Sequence, residues 1–517
     1  MGSMPDWGTL PRMLRDQAER HPDATVVADA SGARLTLSQL RDAASGIARG
    51  LMALGVAPGD RVAMWGVNSA YWVAHAFGIW DAGAVIVPLS SRFKGIEAAQ
   101  LIRKTGAEVL ITGAGPSDAP LAGLLPPLPG LRHVVVPEDS GLPGLGALVS
   151  LKEAEERALA VRPGDLCEIM STSGTTGAPK GVMIDHSQVL RGYWDWSEIV
   201  TLDEHDRYPV IAPFSHGFGL NAGLVACVLR RATMLPIPIF APDALMSLIS
   251  SERITVLAGP PTLFHRILDE LDRGSSDVSS LRVAICGAAA VPGSLIERLV
   301  ERVGLERMIN AYGLMEGTVV SMTRASDPIE VIARTTGRPV PGIEVRVVDD
   351  DGKEVAPGER GEILQRGYGV MRGYWDEPAR TAEVIDADGW LHTGDVGVLD
   401  EAGNLAIVDR KKELYIVNGF NVSPAEVESL LLREGSLAQA AVVGVPDPAS
   451  GEAGLAYVVP RPGVAADPGA LLAWARANMS NYKVPKRIVV LDALPTNVNG
   501  KVDKQALRRA PGTAQGE

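Results

Sequence analysis

A short segment rich in hydroxyl groups and glycines carries the clearest chemical signal in this sequence. Residues 171–181 read Ser-Thr-Ser-Gly-Thr-Thr-Gly-Ala-Pro-Lys-Gly. Glycine lets backbone N–H groups turn toward an anion, the hydroxyls add hydrogen-bond donors, and Lys180 adds a positive charge. A bound polyphosphate requires these groups. The segment is not a Walker A loop, because Lys180 follows Pro179 and precedes Gly181 rather than Ser or Thr.

The surrounding sequence predicts a rigid support for this segment. A helical spacing of apolar residues spans 37–54, and Pro88 ends one of the apolar runs that follow. Runs that predict buried strands lie at 61–65, 84–87, 109–112 and 133–136. Such alternation of helices and strands is typical of parallel sheets covered by helices.

The pattern changes near residue 337. Alternating polar and apolar residues with Asp-Gly turns predict an antiparallel, barrel-like subdomain over residues 337–409. The whole chain has 517 residues, which exceeds the roughly 250–300 residues at which a single core stops growing. We therefore expect a large domain over 4–410 and a small domain over 411–510, with a disordered tail at 511–517.

The composition argues against two classes of partner. The net charge is -13 and no basic stripe is present, which argues against nucleic-acid binding. Polar residues interrupt every apolar stretch before it reaches the roughly 20 residues of a membrane span. Cys167, Cys227 and Cys286 are scattered without metal-binding spacing, so we expect buried, reduced thiols in a cytoplasmic protein.

Further short motifs follow the phosphate-binding segment in order. They are Ala-Pro-Phe-Ser-His-Gly-Phe-Gly at 212–219, Gly-Ala-Ala-Ala at 287–290, Asn-Ala-Tyr-Gly-Leu-Met-Glu at 310–316, Thr-Gly-Arg-Pro at 336–339, Met-Arg-Gly-Tyr-Trp at 371–375, His-Thr-Gly-Asp at 392–395, Asp-Arg-Lys-Lys at 409–412, Asn-Gly-Phe at 418–420 and Asn-Gly-Lys at 499–501. The series resembles the adenylate-forming superfamily of acyl-CoA synthetases, peptide-synthetase adenylation domains and luciferases. The resemblance covers nearly the whole chain.

The resemblance implies both a fold and an activity. The implied fold is α/β: a large N-terminal domain of helix-covered sheets with a barrel-like subdomain, and a small, mobile α+β C-terminal lid. The implied activity is that of an AMP-forming acid–CoA ligase. Such an enzyme uses ATP and Mg²⁺ to convert a carboxylic acid to an acyl-adenylate, and then delivers the acyl group to the thiol of coenzyme A.

The resemblance also implies roles for single residues toward the nucleotide. Lys501 bridges carboxylate and phosphate during adenylation, where a cation offsets the charge of two anions. Glu316 is the implied Mg²⁺ ligand, Asp395 and Arg410 hold the ribose hydroxyls, and Tyr312 stacks on adenine. Lys180 acts on the phosphates. The other positions implied to bind the nucleotide are Thr172, Ser173, Gly174, Thr175, Thr176, Gly177, Gly287, Ala288, Ala289, Asn310, Ala311, Gly313 and Met315.

A second set of residues is implied to serve the acyl group and coenzyme A. His216 resembles an aromatic gate between the acyl and pantetheine tunnels, and Lys412 matches the hinge about which the lid turns. Lys501 must leave before the thiol can enter, so a hinge at the domain boundary fits the chemistry. The residues implied to line the acyl and CoA routes are His216, Phe218, Gly219, Gly287, Lys412, Gly419 and Phe420.

Met315 departs from the pattern of the family. Relatives carry threonine here, and its hydroxyl contacts the α-phosphate. A thioether cannot donate a hydrogen bond. We hypothesise that Met315 impairs adenylation more than thioester formation. In the extreme case adenylation is lost, and a separate adenylating enzyme supplies the acyl-adenylate that this protein transfers to CoA. In the opposite case the substitution is tolerated and ligase activity is normal.

The sequence gives weaker signals about the acid. Residues 211–224 hold no aspartate that could bind an amine, and no carrier domain follows Lys501, so a CoA ligase is favoured over a peptide-synthetase module. The lid segment 414–421 resembles bacterial acyl-CoA synthetases, some of which act on bulky, ring-bearing acids. Small residues predict a wide pocket: Gly217, Gly219, Gly223 and Ala288. Alternatives are a non-catalytic adenylate-binding protein and a luciferase-type oxidase.

Overall fold

The computed structural model describes most of the chain. The described residues are 4–29, 32–113, 115, 120–136, 142, 145–172, 179–259, 261–274, 277–287, 293–410, 415–461, 463–495 and 502–509. Several predicted site residues lie outside them: Ser173, Gly174, Thr175, Thr176, Gly177, Ala288, Ala289, Lys412 and Lys501. The predicted tail at 511–517 also lies outside them.

Strands and helices alternate through the first two thirds of the chain. The strands are β1 (Thr25–Ala28), β2 (Arg34–Thr36), β3 (Arg61–Trp65), β4 (Val85–Leu89), β5 (Val109–Thr112), β6 (His133–Val135), β7 (Leu166–Thr172), β8 (Lys180–Asp185), β9 (Arg207–Val210), β10 (Thr233–Pro236), β11 (Val256–Gly259), β12 (Val283–Gly287), β13 (Arg307–Leu314) and β14 (Thr318–Met322). The α-helices are α1 (Leu10–Arg20), α2 (Leu37–Ala53), α3 (Ala70–Asp81), α4 (Gly95–Thr105), α5 (Leu151–Ala160), α6 (His186–Val200), α7 (Ala226–Arg230), α8 (Pro242–Ser251), α9 (Pro261–Arg273), α10 (Gly293–Val303) and α11 (Ile329–Arg334).

The last third is richer in antiparallel strands. Its strands are β15 (Arg338–Pro339), β16 (Ile343–Val348), β17 (Arg360–Gly367), β18 (Gly373–Tyr374), β19 (Leu391–Leu399), β20 (Leu405–Arg410), β21 (Tyr415–Val417), β22 (Phe420–Val422), β23 (Leu437–Asp447), β24 (Gly451–Pro460) and β25 (Arg487–Val490). Its helices are α12 (Pro378–Val384), α13 (Pro424–Leu431), α14 (Pro468–Asn478) and α15 (Lys504–Arg509).

Two large sheets position the predicted site. The first has seven strands in the order β18-β8-β7-β4-β3-β5-β6, with β3, β4, β5, β6 and β7 parallel where they pair. The second has five strands in the order β11-β12-β13-β14-β15. The buried faces of both carry mainly aliphatic side chains, with the large aromatic Trp65 on β3 of the first sheet. The predicted arrangement of helix-covered sheets is confirmed.

Residues 338–410 contribute the predicted antiparallel pairing. Strands β16, β17, β19 and β20 form one antiparallel sheet in that order. The two short strands of this region leave it, since β15 pairs with β14 and β18 pairs with β8. The region is therefore attached to both large sheets, and the β18 connection reaches the strand that carries Lys180.

The small domain has its own core. Its sheet runs β22-β21-β24-β23, with β25 parallel to β24, and helices α13 and α14 pack near it. Val442, Val458 and Leu471 belong to its buried cluster. Within the described residues, no helix has both the length and the apolar character that crossing a membrane requires.

Most strand predictions agree with the structure, and one end was wrong. Strand β4 continues through Pro88 to Leu89, although the sequence predicted that Pro88 ends it. Alternate residues of a parallel strand bond to opposite neighbours, so a missing N–H interrupts one side of the ladder only. The three cysteines are buried thiols that form no disulfide, as predicted, and burial raises the pKa of Cys167 and Cys227.

Candidate active site

The two ends of the phosphate-binding segment are held side by side. Strands β7 and β8 are antiparallel, and Thr172 at the end of β7 pairs with Lys180 at the start of β8. The Lys180 ammonium lies 4.4 Å from the ring centroid of Tyr374. The carbonyl of Pro179 accepts a hydrogen bond of 2.7 Å from Lys104, which also pairs with Glu377. The segment therefore begins and ends at two paired residues of neighbouring strands, β7 and β8.

Tyr374 connects Lys180 to the predicted metal ligand. Its strand, β18, pairs with β8 so that Tyr374 lies opposite Val182. Its hydroxyl donates a hydrogen bond of 2.8 Å to Oε1 of Glu316, and burial raises the pKa of Tyr374, which keeps the hydroxyl protonated. One aromatic side chain thus brings Lys180 and Glu316 together. Sequence reasoning assigned no role to Tyr374, and its place in the motif at 371–375 is the signal that could have found it.

The donor set fits Mg²⁺ that enters with a nucleotide. Mg²⁺ is usually held by one or two carboxylates together with substrate phosphates and water. Glu316 supplies one carboxylate close to Lys180 and to the phosphate-binding segment. Among the residues that the structure describes, no group of three or more His, Cys, Asp or Glu side chains could hold a metal alone.

Tyr312 and Asp395 meet at the other end of the predicted nucleotide site. The Tyr312 hydroxyl donates a hydrogen bond of 2.6 Å to Oδ2 of Asp395, which is buried. Asp395 lies opposite Arg410 across β19 and β20. Asn310 anchors the same strand, because its Nδ2 donates to the carbonyls of Ile332 and Thr335. The structure therefore brings together Tyr312 and Asp395, which are 83 residues apart.

Asn68 holds the predicted acyl-site loop from beneath. Its buried amide donates to the carbonyls of Val210 and Ala212, at 3.0 and 2.9 Å, and accepts from the N–H of Phe214 at 2.8 Å. Sequence reasoning missed this residue, since an isolated asparagine carries no motif. The three bonded residues lie 142 to 146 positions after Asn68 in the chain, and the bonds hold the backbone just before His216 in place.

His216 is oriented by its own loop. Its Nδ1 accepts a hydrogen bond of 3.2 Å from the N–H of Phe218, so the neutral ring carries its proton on Nε2. The residue is exposed to solvent, yet enough protein surrounds the ring that desolvation lowers its pKa. A neutral imidazole beside Phe218 suits an apolar acyl route, and Phe218 packs edge-on against Trp196 at 6.3 Å.

The glycines of the acyl motif are required by packing, which corrects one expectation. A Cβ on Gly219 would lie 2.1 Å from the carbonyl oxygen of Pro213, and one on Gly223 would lie 2.5 Å from Cγ1 of Val210. These positions are filled by neighbouring atoms. The small residues do not by themselves show a wide pocket, and Ala288 lies outside the described residues.

Met315 links the nucleotide motif to the acyl motif. A Cβ on Gly217 would lie 3.1 Å from the Met315 sulfur and 4.0 Å from the Tyr193 hydroxyl. Met315 is half-buried and packs against the main core. The thioether therefore lies at the junction between the predicted nucleotide motif and the predicted acyl motif.

A buried carboxyl lies behind this junction. Residues Phe218–Val225 form a π-helical turn, a feature that is frequent at functional sites. Within it, Asn221 donates a hydrogen bond of 2.9 Å to Oε1 of Glu168. Burial raises the pKa of Glu168 to about 7, although the bond from Asn221 lowers it in part. Glu168 lies on β7, four residues before Thr172.

Glu168 is expected to make the protein less stable as the pH rises. Its folded-state pKa lies above the ordinary value, so its favourable contribution is complete at low pH and is lost as the pH rises toward 7. Glu168→Gln keeps the acceptor for Asn221 and removes the ionisation. We expect the variant to gain about 2–3 kcal/mol over the wild type between pH 5 and pH 8 in urea unfolding. The exposed Glu301→Gln is the control, and an equal pH dependence of Glu168→Gln and the wild type would contradict the prediction.

The tip of the β21–β22 hairpin carries the residues predicted to line the thiol route. Asn418 and Gly419 both have positive φ, 50° and 82°, as an Asn-Gly turn of type I′ requires. Phe420 follows directly, stacks on Tyr482 with 4.6 Å between centroids, and lies 4.5 Å beneath the guanidinium of Arg92. The hairpin thus contacts the large domain.

Comparison with known proteins agrees with this geometry. Residues 14–375 match the family model of the AMP-binding enzyme, and residues 426–501 match that of the AMP-binding enzyme C-terminal domain. Two relatives, both 7a-methyl-1,5-dioxo-octahydro-1H-inden-4-yl propanoyl:CoA ligases, come from Rhodococcus jostii and Mycobacterium tuberculosis. The first is 42% identical over 97% of this chain and 98% of its own length, and the second is 43% identical over 97% and 99%.

A solved structure shares the arrangement of both domains. A double mutant of o-succinylbenzoate CoA synthetase from Bacillus subtilis, bound with its product analogue OSB-NCoA, superposes with a TM-score of 0.81. It is 26% identical, and the match covers 96% of this chain and 98% of that one.

Proposed function

Because this chain belongs to the AMP-binding enzyme family and is an acyl-CoA synthetase of the adenylate-forming superfamily, we propose that it converts a bulky, ring-bearing carboxylic acid to its CoA thioester. The enzyme class is AMP-forming acid–CoA ligase, so its substrates are ATP, a carboxylic acid and coenzyme A. In the first step the carboxylate attacks the α-phosphorus of ATP and pyrophosphate leaves. In the second step the thiol attacks the acyl carbonyl and AMP leaves.

One observation carries the assignment of the first step. Lys180 and Glu316 both contact Tyr374, which places a cation and a carboxylate beside the phosphate-binding segment. A cation near the transferring phosphate offsets the charge that develops there. We propose that Lys180, with Thr172 and the segment after it, binds the phosphates, and that Glu316 holds Mg²⁺. The metal would neutralise charge on the phosphates.

The opposite end of the site supports binding of the nucleoside. Asp395 can accept two hydrogen bonds from vicinal hydroxyls, and the hydroxyl of Tyr312 already orients one of its oxygens. We propose that Asp395, with Arg410, binds the ribose and that the Tyr312 ring packs on adenine. Asn310, Ala311 and Gly313 supply the strand backbone around it.

The preference for a ring-bearing acid is supported by two separate findings. The two relatives are ligases for an acid with a fused-ring skeleton. In this chain the junction at Gly217 is bordered by Met315 and Tyr193, and Phe218 packs on Trp196 nearby. Aromatic and thioether side chains offer a broad apolar contact area for a rigid ring system.

The function is tested with a panel of acids and two acyl donors. The acids are octanoate, ferulate, 3-cyclohexylpropanoate and the 7a-methyl-1,5-dioxo-octahydroindenyl propanoate of the relatives. Each is supplied once with ATP and CoA, and once as a synthetic acyl-adenylate with CoA. We expect ring-bearing acids to give at least a tenfold higher kcat/KM than octanoate, which corresponds to about 1.4 kcal/mol of transition-state binding. Preference for octanoate would contradict the proposed acid.

The same panel tests two alternatives to a complete ligase, of which the first follows from Met315. If activity appears only with acyl-adenylates, then adenylation has been lost and a separate enzyme supplies the adenylate. If no thioester forms from either donor while nucleotide still binds, then the protein is a non-catalytic adenylate-binding protein.

A further inference from the structure

A buried cluster of charged groups joins the small domain to the large one. Lys483 of the small domain donates hydrogen bonds to Glu97 of the large domain at 2.9 Å and to Glu426 of its own domain at 2.7 Å. The Ser480 hydroxyl lies 3.0 Å from both carboxylate oxygens of Glu97. All four side chains are almost fully buried, with 4% or less of each residue exposed.

The charges in this cluster stabilise one another. Burial on its own would lower the pKa of Lys483, but the carboxylates of Glu426 and Glu97 raise it well above the ordinary value. The ammonium therefore stays charged between two carboxylates. Such a pair needs close geometry to offset the loss of hydration, and distances of 2.7 and 2.9 Å provide it.

Each domain also supplies its own partner for the charged residue that it contributes to the contact. Lys483 keeps Glu426 as its partner within the small domain. Glu97 keeps a hydrogen bond of 2.9 Å from the backbone N–H of Lys94, at the start of helix α4. Separation of the domains would therefore leave neither Glu97 nor Lys483 without a partner. A contact that breaks without stranding a buried charge suits a reversible interface rather than a permanent core.

The cluster lies beside the hairpin tip, at the sheet edge where strands β4 and β7 end. Phe93 lies 4.7 Å from the Lys483 ammonium, and its neighbour Arg92 covers Phe420. Arg92 and Phe93 follow strand β4, which is parallel to β7 in the sheet. Parallel strands end at the same edge, so the loop after β4 begins at the sheet edge where Thr172 ends β7. The interface thus places Phe420 near the sheet edge that carries Thr172, the first described residue of the predicted nucleotide site.

We propose that Glu97 and Lys483 are positioning residues that hold the small domain in the arrangement used for thioester formation. Their contact seats the Gly419–Phe420 tip on the large domain, where the thiol of coenzyme A would enter. It breaks when the small domain turns to bring Lys501 to the phosphates. This inference rests on the proposed function, because it assumes that the two half-reactions use different arrangements of the domains.

Glu97→Gln is the first test, because it leaves the Lys483–Glu426 pair intact. Transfer of the acyl group from the adenylate of the best panel acid to CoA is expected to slow by about five- to twentyfold, since a charge-assisted bond becomes a neutral one. Pyrophosphate release from ATP is expected to change by less than about twofold. Ser480→Ala should slow transfer less, and the exposed Arg476→Met should leave both rates unchanged. Equal slowing of both half-reactions, or of neither, would overturn the proposal.

A second readout does not depend on catalysis. Leu148 and Val464 are exposed on the large and the small domain, and the native cysteines are buried, so Leu148→Cys and Val464→Cys can carry a pair of fluorescent labels. Without substrate, Glu97→Gln is expected to broaden the distribution of distances between the labels. An unchanged distribution would overturn the proposal. If the wild type forms no thioester from any acid, the proposed function fails, whereas the distance measurement still decides whether the cluster holds the domains together.

Discussion

The variant Lys501→Ala is expected to lower ATP-dependent thioester formation by about a hundredfold or more. Its rate of acyl transfer from a preformed acyl-adenylate to CoA should stay within about twofold of the wild-type rate. The first step brings an anionic carboxylate to the anionic α-phosphate. A positive charge between them stabilises the transition state more than the separate substrates. The second step needs no such cation, because the thiol attacks a carbonyl after pyrophosphate has left.

The measurement compares pyrophosphate release with CoA-thioester formation from the synthetic adenylate. Lys152→Ala is the control for the loss of a positive charge, since Lys152 lies exposed on helix α5 and pairs only loosely with Glu156 at 3.8 Å. Both variants should unfold at the temperature of the wild type. A Lys501→Ala variant that loses both half-reactions alike, or neither, would show that Lys501 does not act in adenylation.

The sequence predicted the parallel strands well because their signal is local. Arg61–Trp65 and Val109–Thr112 were predicted to the residue, since each contains the short, mostly apolar run that is typical of a buried parallel strand. The end at Pro88 was wrong because the sequence does not show which neighbour a strand bonds to at each residue. The π-helical turn Phe218–Val225 has an apolar sequence without a distinctive period, so no pattern predicted it.

Part of the site could be predicted because its residues belong to motifs. The positions of Tyr312, Glu316 and Asp395 came from such motifs, and the structure places Tyr312 against Asp395. The supporting residues could not be found in this way. Asn68 acts through backbone groups about 145 residues away, and Glu97 meets Lys483 only when the two domains are in contact.

Glycines show how a correct motif can suggest a wrong physical reason. The sequence suggested that Gly219 and Gly223 widen a pocket. The structure shows that a carbonyl of Pro213 and the side chain of Val210 fill those positions. A glycine marks a close approach of atoms, and only coordinates show whether the neighbour is a ligand or the protein itself.

The variant Met315→Thr is expected to raise the rate of pyrophosphate release by about tenfold to two-hundredfold. A hydroxyl at this position can donate a hydrogen bond to the α-phosphate, and a hydrogen bond to a charged group contributes about 1.5–3 kcal/mol. If that contribution is made in the transition state, it converts to the stated change in rate. The rate of transfer from acyl-adenylate to CoA should change much less, because the pentavalent phosphorus no longer has to be stabilised.

The variant Met315→Val separates the effect of the smaller side chain from the effect of the threonine hydroxyl. Met315→Val has nearly the same shape as Met315→Thr and lacks the hydroxyl, so both variants lose the sulfur that lies beside Gly217. Each is expected to lower the free energy of unfolding by about 1–2 kcal/mol. Only the threonine variant should accelerate adenylation. Equal rates for the two variants would mean that Met315 is tolerated without a cost to the first step, and that the rate is set elsewhere in the site.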